Sequence, residues 1–125
     1  MSPETSILVG GFFFTVLVIF HLTFWKLFRW KSDLAKLTSL NRAVMQVLNL
    51  SLTIIFAIFA YISFLHPGEL LSTPIGLSLL LLISLFWYAR ALQQVIFFGL
   101  KKKLSIGFLL FFLIGGSLYL WPLIS

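Results

Sequence analysis

The stretch IGLSLLLLISLFWYARALQQVIFFGLKKK, residues 75–103, decides the fold. From Ile75 to Leu100 it carries a single charge, Arg90, and three lysines then follow in a row. A helix needs roughly 20 mostly apolar residues to cross ~30 Å of hydrocarbon. In lipid, only a helix lets such a run satisfy its own backbone donors and acceptors. The run therefore predicts a transmembrane helix over about 75–100, with Lys101-Lys102-Lys103 as a tight polar turn beyond it.

Three more runs of the same kind flank it, at about 7–28, 43–65 and 104–124. The first does not read as a cleaved signal: no basic segment precedes it, and Lys26, Arg29 and Lys31 follow it directly. Hydrophobic residues make up 61% of the chain and charged ones 10%. A soluble domain carries about a quarter charged residues, so the apolar excess points to lipid as its solvent. There is no cysteine, which excludes disulfide frameworks, iron–sulfur ligation and thiolate zinc sites.

Between the first two spans, Leu27, Trp30, Leu34, Leu37 and Leu40 recur at three- and four-residue steps, with Arg29, Lys31, Asp33 and Lys36 among them. That pattern predicts an amphipathic helix over about 30–40 lying in the headgroup plane, with Ser32 as its N-cap. His66-Pro67-Gly68-Glu69 and Ser72-Thr73-Pro74 punctuate the second linker. All nine basic residues lie in the first and third linkers or the parts of spans adjoining them, whereas Glu4 and Glu69 lie on the other side. The positive-inside rule then places the interfacial helix in the cytoplasm and both termini outside it. The expected fold class is an all-α membrane protein, an antiparallel four-transmembrane-helix bundle forming one domain, in a bacterial cytoplasmic membrane. The net charge of +6 reads as a topology signal and an attraction to anionic lipid headgroups, not as nucleic-acid binding.

The polar residues inside the spans are the candidate site. At ~1.5 Å per helical residue, His21 lies about 7 Å above Lys26, and Arg90, Gln93 and Gln94 about 10–17 Å above Lys101. Arg42, Gln46, Asn49 and Thr53 fall on one helical face, as do Trp87, Arg90 and Gln94. Such residues normally turn inward toward one another. The expectation is a cytoplasm-facing polar pocket in which Arg90 meets His21, Gln46 and Asn49, with Trp87 stacked on the guanidinium and Gln94 beside it. The plainer alternative is helix–helix adhesion with Arg90 snorkelling to the headgroups. Gly10, Gly11, Gly115 and Gly116 share a depth and are expected to bring the first and fourth spans close together.

No residue set suggests catalysis, a metal or a cofactor. No phosphate loop or nucleophile–base arrangement occurs, no carboxylate lies in a span, and His21 and His66 stand at opposite membrane depths. The leading reading is a non-enzymatic accessory or lipid-interacting small membrane protein, partnered by lipid, a membrane protein or a second copy. A homo-oligomeric transporter or channel comes next, though Ser63, Ser78 and Ser117 are few polar groups for the outer half of a path. A membrane enzyme acting on a lipid through His21 and Arg90 is third.

Overall fold

The structure, a computed structural model, describes all 125 residues and contains helices and turns but no strand. In chain order the helices are α1 (Pro3–Leu22), α2 (Phe24–Leu27), α3 (Trp30–Asp33), a 3-10 turn (Leu34–Lys36), α4 (Ser39–Leu65), α5 (Pro67–Ser72), α6 (Pro74–Gln93), a π turn (Gln94–Phe98) and α7 (Lys103–Ile124). Four segments, Pro3–Leu22, Ser39–Leu65, Pro74–Phe98 and Lys103–Ile124, are long and apolar enough to cross a bilayer. The chain is an integral membrane protein. Large apolar side chains such as Leu48, Ile54, Leu82 and Phe97 are exposed along these helices, which suits a lipid solvent.

The first span ends at Leu22, earlier than its apolar run suggests. Thr23 explains the break: its backbone N–H and its hydroxyl both donate to the Phe20 carbonyl, at 3.0 and 2.6 Å. That i−3 closure tightens the turn, and α2 starts afresh after it. The third span has a different ending. Its last turn widens to π geometry and stops at Gly99, whose φ of 73° and ψ of −174° lie in a region essentially reserved for glycine.

The chain divides into two compact parts, Met1–Gly10 with Ser63–Ser125, and Gly11–Ile62. In the first part α6 lies along α7. A Cβ at Gly115 would sit 2.6 Å from the Trp87 indole, so only glycine leaves room for that ring. Gly116 is similarly close to the Tyr88 ring, and Ser84 donates to the Gly116 carbonyl at 2.9 Å. The start of α1 reaches α7 at Gly10, where a Cβ would lie 2.5 Å from the Tyr119 ring. Ser6 donates to the Leu118 carbonyl, and the Tyr119 hydroxyl lies 2.6 Å from Ser63 Oγ at the end of α4. The first and fourth spans are thus neighbours at Gly10. Gly115 and Gly116 instead face α6, because Trp87 and Tyr88 occupy the space their missing side chains leave.

In the second part α1 packs on α4 through Phe14, whose ring centroid is 5.9 Å from that of Phe56 and 5.4 Å from that of Phe59. The linker between α1 and α4 is a folded clasp. Arg29, at φ 53°, turns the chain in the left-handed region, a conformation that costs a non-glycine residue roughly 1–2 kcal/mol. The turn carries Trp30 back against Phe24 and Trp25, with ring centroids 5.4 and 5.1 Å away. Trp30 and Leu34 are buried, while Lys31, Ser32, Asp33 and Lys36 are exposed. The continuous helix expected over about 30–40 is therefore shorter, helical from Trp30 to Lys36 and then extended at Leu37.

Arg42 gives the physical reason for that early end. Its Nε donates to the Leu34 carbonyl at 2.9 Å, and its Nη2 to those of Ala35 and Leu37 at 3.3 and 3.1 Å. These are the carbonyls that a longer helix would have used internally. Ser32 is no N-cap, since its hydroxyl donates to the Arg29 carbonyl. Thr38 caps α4, accepting from the Asn41 N–H at 3.3 Å.

Candidate functional site

The polar face predicted on the second span exists, and α1 with its linker satisfies it. His21 and Asn49 bind each other twice: His21 Nδ1 lies 2.8 Å from Asn49 Oδ1, and Asn49 Nδ2 donates to the His21 carbonyl at 3.0 Å. The His21 ring stacks on Phe24 at 4.4 Å and meets the edge of Phe56 at 5.2 Å. One turn away, Trp25 Nε1 donates to Gln46 Oε1 at 3.0 Å, and Gln46 Nε2 donates to the Arg42 carbonyl. Thr53 closes the row by donating to the Asn49 carbonyl at 2.7 Å. His21, Gln46 and Asn49 are brought together as a helix-joining ladder.

Within its own part of the chain, Arg90 lies against aromatic rings. Its guanidinium carbon lies 4.4 Å from the Phe112 ring centroid and 5.9 Å from that of Phe98. Trp87 does not stack on it, because the indole is fully buried against Gly115, Phe111 and Phe112. The ring under the cation comes from α7 instead. Gln94 is buried as well, donating to Ser105 Oγ at 2.9 Å, while Ser105 donates to the Gly99 carbonyl at 2.6 Å. That chain of bonds ties the π turn to the start of α7. A cation–π contact contributes about 0.5–1 kcal/mol when exposed and about 2 kcal/mol when desolvated.

A second concave site lies on the folded clasp, and the residue pattern alone does not reveal it. Trp25, Lys26, Trp30, Lys31, Leu34, Ala35, Arg42 and Gln46 line a cleft of about 520 Å³. Lys26 and Lys31 are exposed and make no ion pair. The nearby acid, Asp33, lies 3.8 Å from Lys36 and outside the lining. Arg42 spends Nε and Nη2 on the linker carbonyls, which leaves Nη1 free on the cleft side chain. The one advance signal was the pair Trp25 and Trp30 beside basic residues, a pattern equally suited to simple anchoring.

The hydroxyls of Ser63 and Ser117 bond to the protein itself. Ser63 pairs with Tyr119, and Ser117 donates to the Leu113 carbonyl and lies 2.9 Å from the Tyr88 hydroxyl. In the second linker His66 Nδ1 is 3.5 Å from Glu69 Oε1. The Glu69 carboxyl is held below its ordinary range by its own backbone N–H and then by His66. No group of three potential metal ligands converges anywhere in the chain. No family model matches the sequence, and no curated protein or solved structure shows significant similarity to it.

Proposed function

We propose that this chain is a small, non-enzymatic membrane protein whose basic face binds the headgroups of anionic lipids. The cleft at Trp25–Gln46 carries the reading. It offers two lysine ammonium groups without internal partners, the spare Nη1 of Arg42, and two indoles that suit the amphipathic headgroup region. No carboxylate lines it to compete with a phosphate.

The charge distribution supports the same orientation. With the first and third linkers in the cytoplasm and both termini outside, Lys26, Lys31 and Lys101–Lys103 would face the leaflet rich in anionic lipid. Each basic group there contributes about 1 kcal/mol. Three connections on alternating sides would make successive spans run up and down in turn. A partner protein or a second copy would then meet the exposed apolar flanks, with the clasp as the lipid-reading element.

Native mass spectrometry in mild detergent tests this directly. Phosphatidylglycerol should be retained over phosphatidylcholine, and the Lys26→Gln/Lys31→Gln double variant should lose roughly five- to thirty-fold in affinity, following about 1 kcal/mol per charge. Equal retention of both lipids, or an unchanged double variant, would refute the reading.

A further inference from the structure

The cleft on the clasp is formed wholly within one compact part of the chain, since every residue lining it lies in Gly11–Ile62. Gln46 carries the one side-chain acceptor on that lining, and Trp25 Nε1 already donates to it at 3.0 Å. Gln46 Nε2 is engaged as well, by donating to the Arg42 carbonyl. The polar atoms left over are all donors: Arg42 Nη1 and the Lys26 and Lys31 ammonium groups, which form no ion pair.

Trp30 adds a fourth donor. The residue is only 8% exposed, its ring packed against Phe24 and Trp25. Its Nε1 nevertheless donates to no group of Gly11–Ile62 and is not sealed from the surface. A buried indole normally finds its N–H a partner. Here that partner has to enter the cleft.

The leftover set defines the chemistry of what enters. Ammonium, guanidinium and indole groups donate and accept nothing, so a complementary ligand is anionic, accepts at several points and donates at none. A phosphodiester headgroup ending in glycerol brings hydroxyl donors, and one ending in choline or ethanolamine brings a cation. The lining has no spare side-chain acceptor for the hydroxyls and no carboxylate for the cation. An ionised phosphomonoester brings three acceptor oxygens and a charge of about −1.5 to −2 near neutral pH.

Resting on the lipid reading above, we infer that the cleft selects a lipid phosphomonoester, a headgroup of the phosphatidic acid class, with Trp30 Nε1 and Arg42 Nη1 donating to its oxygens. Lys26 and Lys31 balance its charge. A soluble phosphomonoester offers the same oxygens without the acyl chains, so competition between the two separates the sources.

Native mass spectrometry of the purified protein in mild detergent, with equimolar phosphatidic acid, phosphatidylglycerol and phosphatidylcholine, tests the selection. At about pH 8 phosphatidic acid should be retained roughly ten-fold over phosphatidylglycerol, and at about pH 5 within roughly two-fold, because its second proton returns with a pKa of about 6. No histidine or carboxylate lines the cleft, so that pH dependence belongs to the lipid. Trp30→Phe keeps a ring and removes the N–H, and it should cut the preference for phosphatidic acid roughly ten-fold with an unchanged elution profile. In the parent protein, the Trp30 indole proton should move downfield in NMR spectra when phosphatidic acid is added, which reads the contact even where the variant misfolds. Equal retention of the two anionic lipids at about pH 8, or an unmoved indole proton, would overturn this inference and leave the general preference for anionic lipid standing. Retention of neither above phosphatidylcholine would overturn the reading on which it rests. Displacement of phosphatidic acid by millimolar glycerol 3-phosphate would overturn the lipid source and assign the same oxygens to a soluble ligand.

Discussion

His21 and Asn49 hold each other by two hydrogen bonds, ring nitrogen to carboxamide oxygen at 2.8 Å and carboxamide nitrogen to backbone carbonyl at 3.0 Å. The pair joins the last turn of α1 to the middle of α4. Interhelical hydrogen bonds in membranes are worth about 0.6 kcal/mol on average and up to about 1.7. Asn49→Leu should therefore lower stability by about 1–3 kcal/mol, measured by reversible unfolding in mixed micelles. Lipid retention at the Trp25–Trp30 cleft should survive. A variant as stable as the parent would show that the pair is incidental.

Two glycines on α7 should respond to alanine in opposite directions. At Gly115 the new methyl would meet the Trp87 indole at 2.6 Å, and overpacking of this kind costs about 1–3 kcal/mol. At Gly107 nothing lies within 4 Å, so alanine should bring only its helix preference, up to about 1 kcal/mol of stabilisation. Thermal unfolding followed by tryptophan fluorescence reads both. Trp87→Phe should soften the penalty of Gly115→Ala, since a smaller ring leaves more room.

Orientation has its own test. A cysteine placed at Glu69 should react with a membrane-impermeant maleimide in intact cells, and one at Lys102 should react only after lysis. Both positions are exposed and the chain has no native thiol, so labelling is unambiguous. The reverse pattern would place the basic linkers outside and remove the leaflet argument for lipid binding.

Arg29 supplies the fourth prediction. Because its φ is 53°, Arg29→Gly should match or exceed the parent's stability, by up to about 1 kcal/mol. Arg29→Val should lower it, since a β-branched side chain is poorly tolerated there. If the valine variant proves neutral, the left-handed turn is not what folds Trp30 back.

The spans were legible because hydrocarbon leaves one backbone solution, and run length then fixes their number. The polar face at Arg42, Gln46, Asn49 and Thr53 was legible from spacing for the same reason. What spacing does not encode is the partner across the interface. The positions of His21 and Asn49 in their spans predict polar groups that turn inward, yet nothing along the chain says that the two bond to each other. Trp87 and Arg90 share a helical face, yet the indole packs against Gly115, whose missing side chain leaves room for it. The clasp was hidden for a different reason. It depends on one left-handed residue and one arginine that takes carbonyls from a neighbouring turn, and neither leaves a periodic trace.

The π turn at Gln94–Phe98 sets where α6 tolerates a change of length. A π turn carries one more residue than the helix around it requires, so that segment contains a spare position. Deleting Ile96 should let the turn relax to ordinary helix, leaving the Trp87 and Gly115 contact upstream in phase. The same deletion at Leu81 would rotate everything after it by about 100°, swinging Trp87 and Arg90 off α7 together. One end of the third span can therefore absorb a deletion, and the interior that seats the guanidinium cannot.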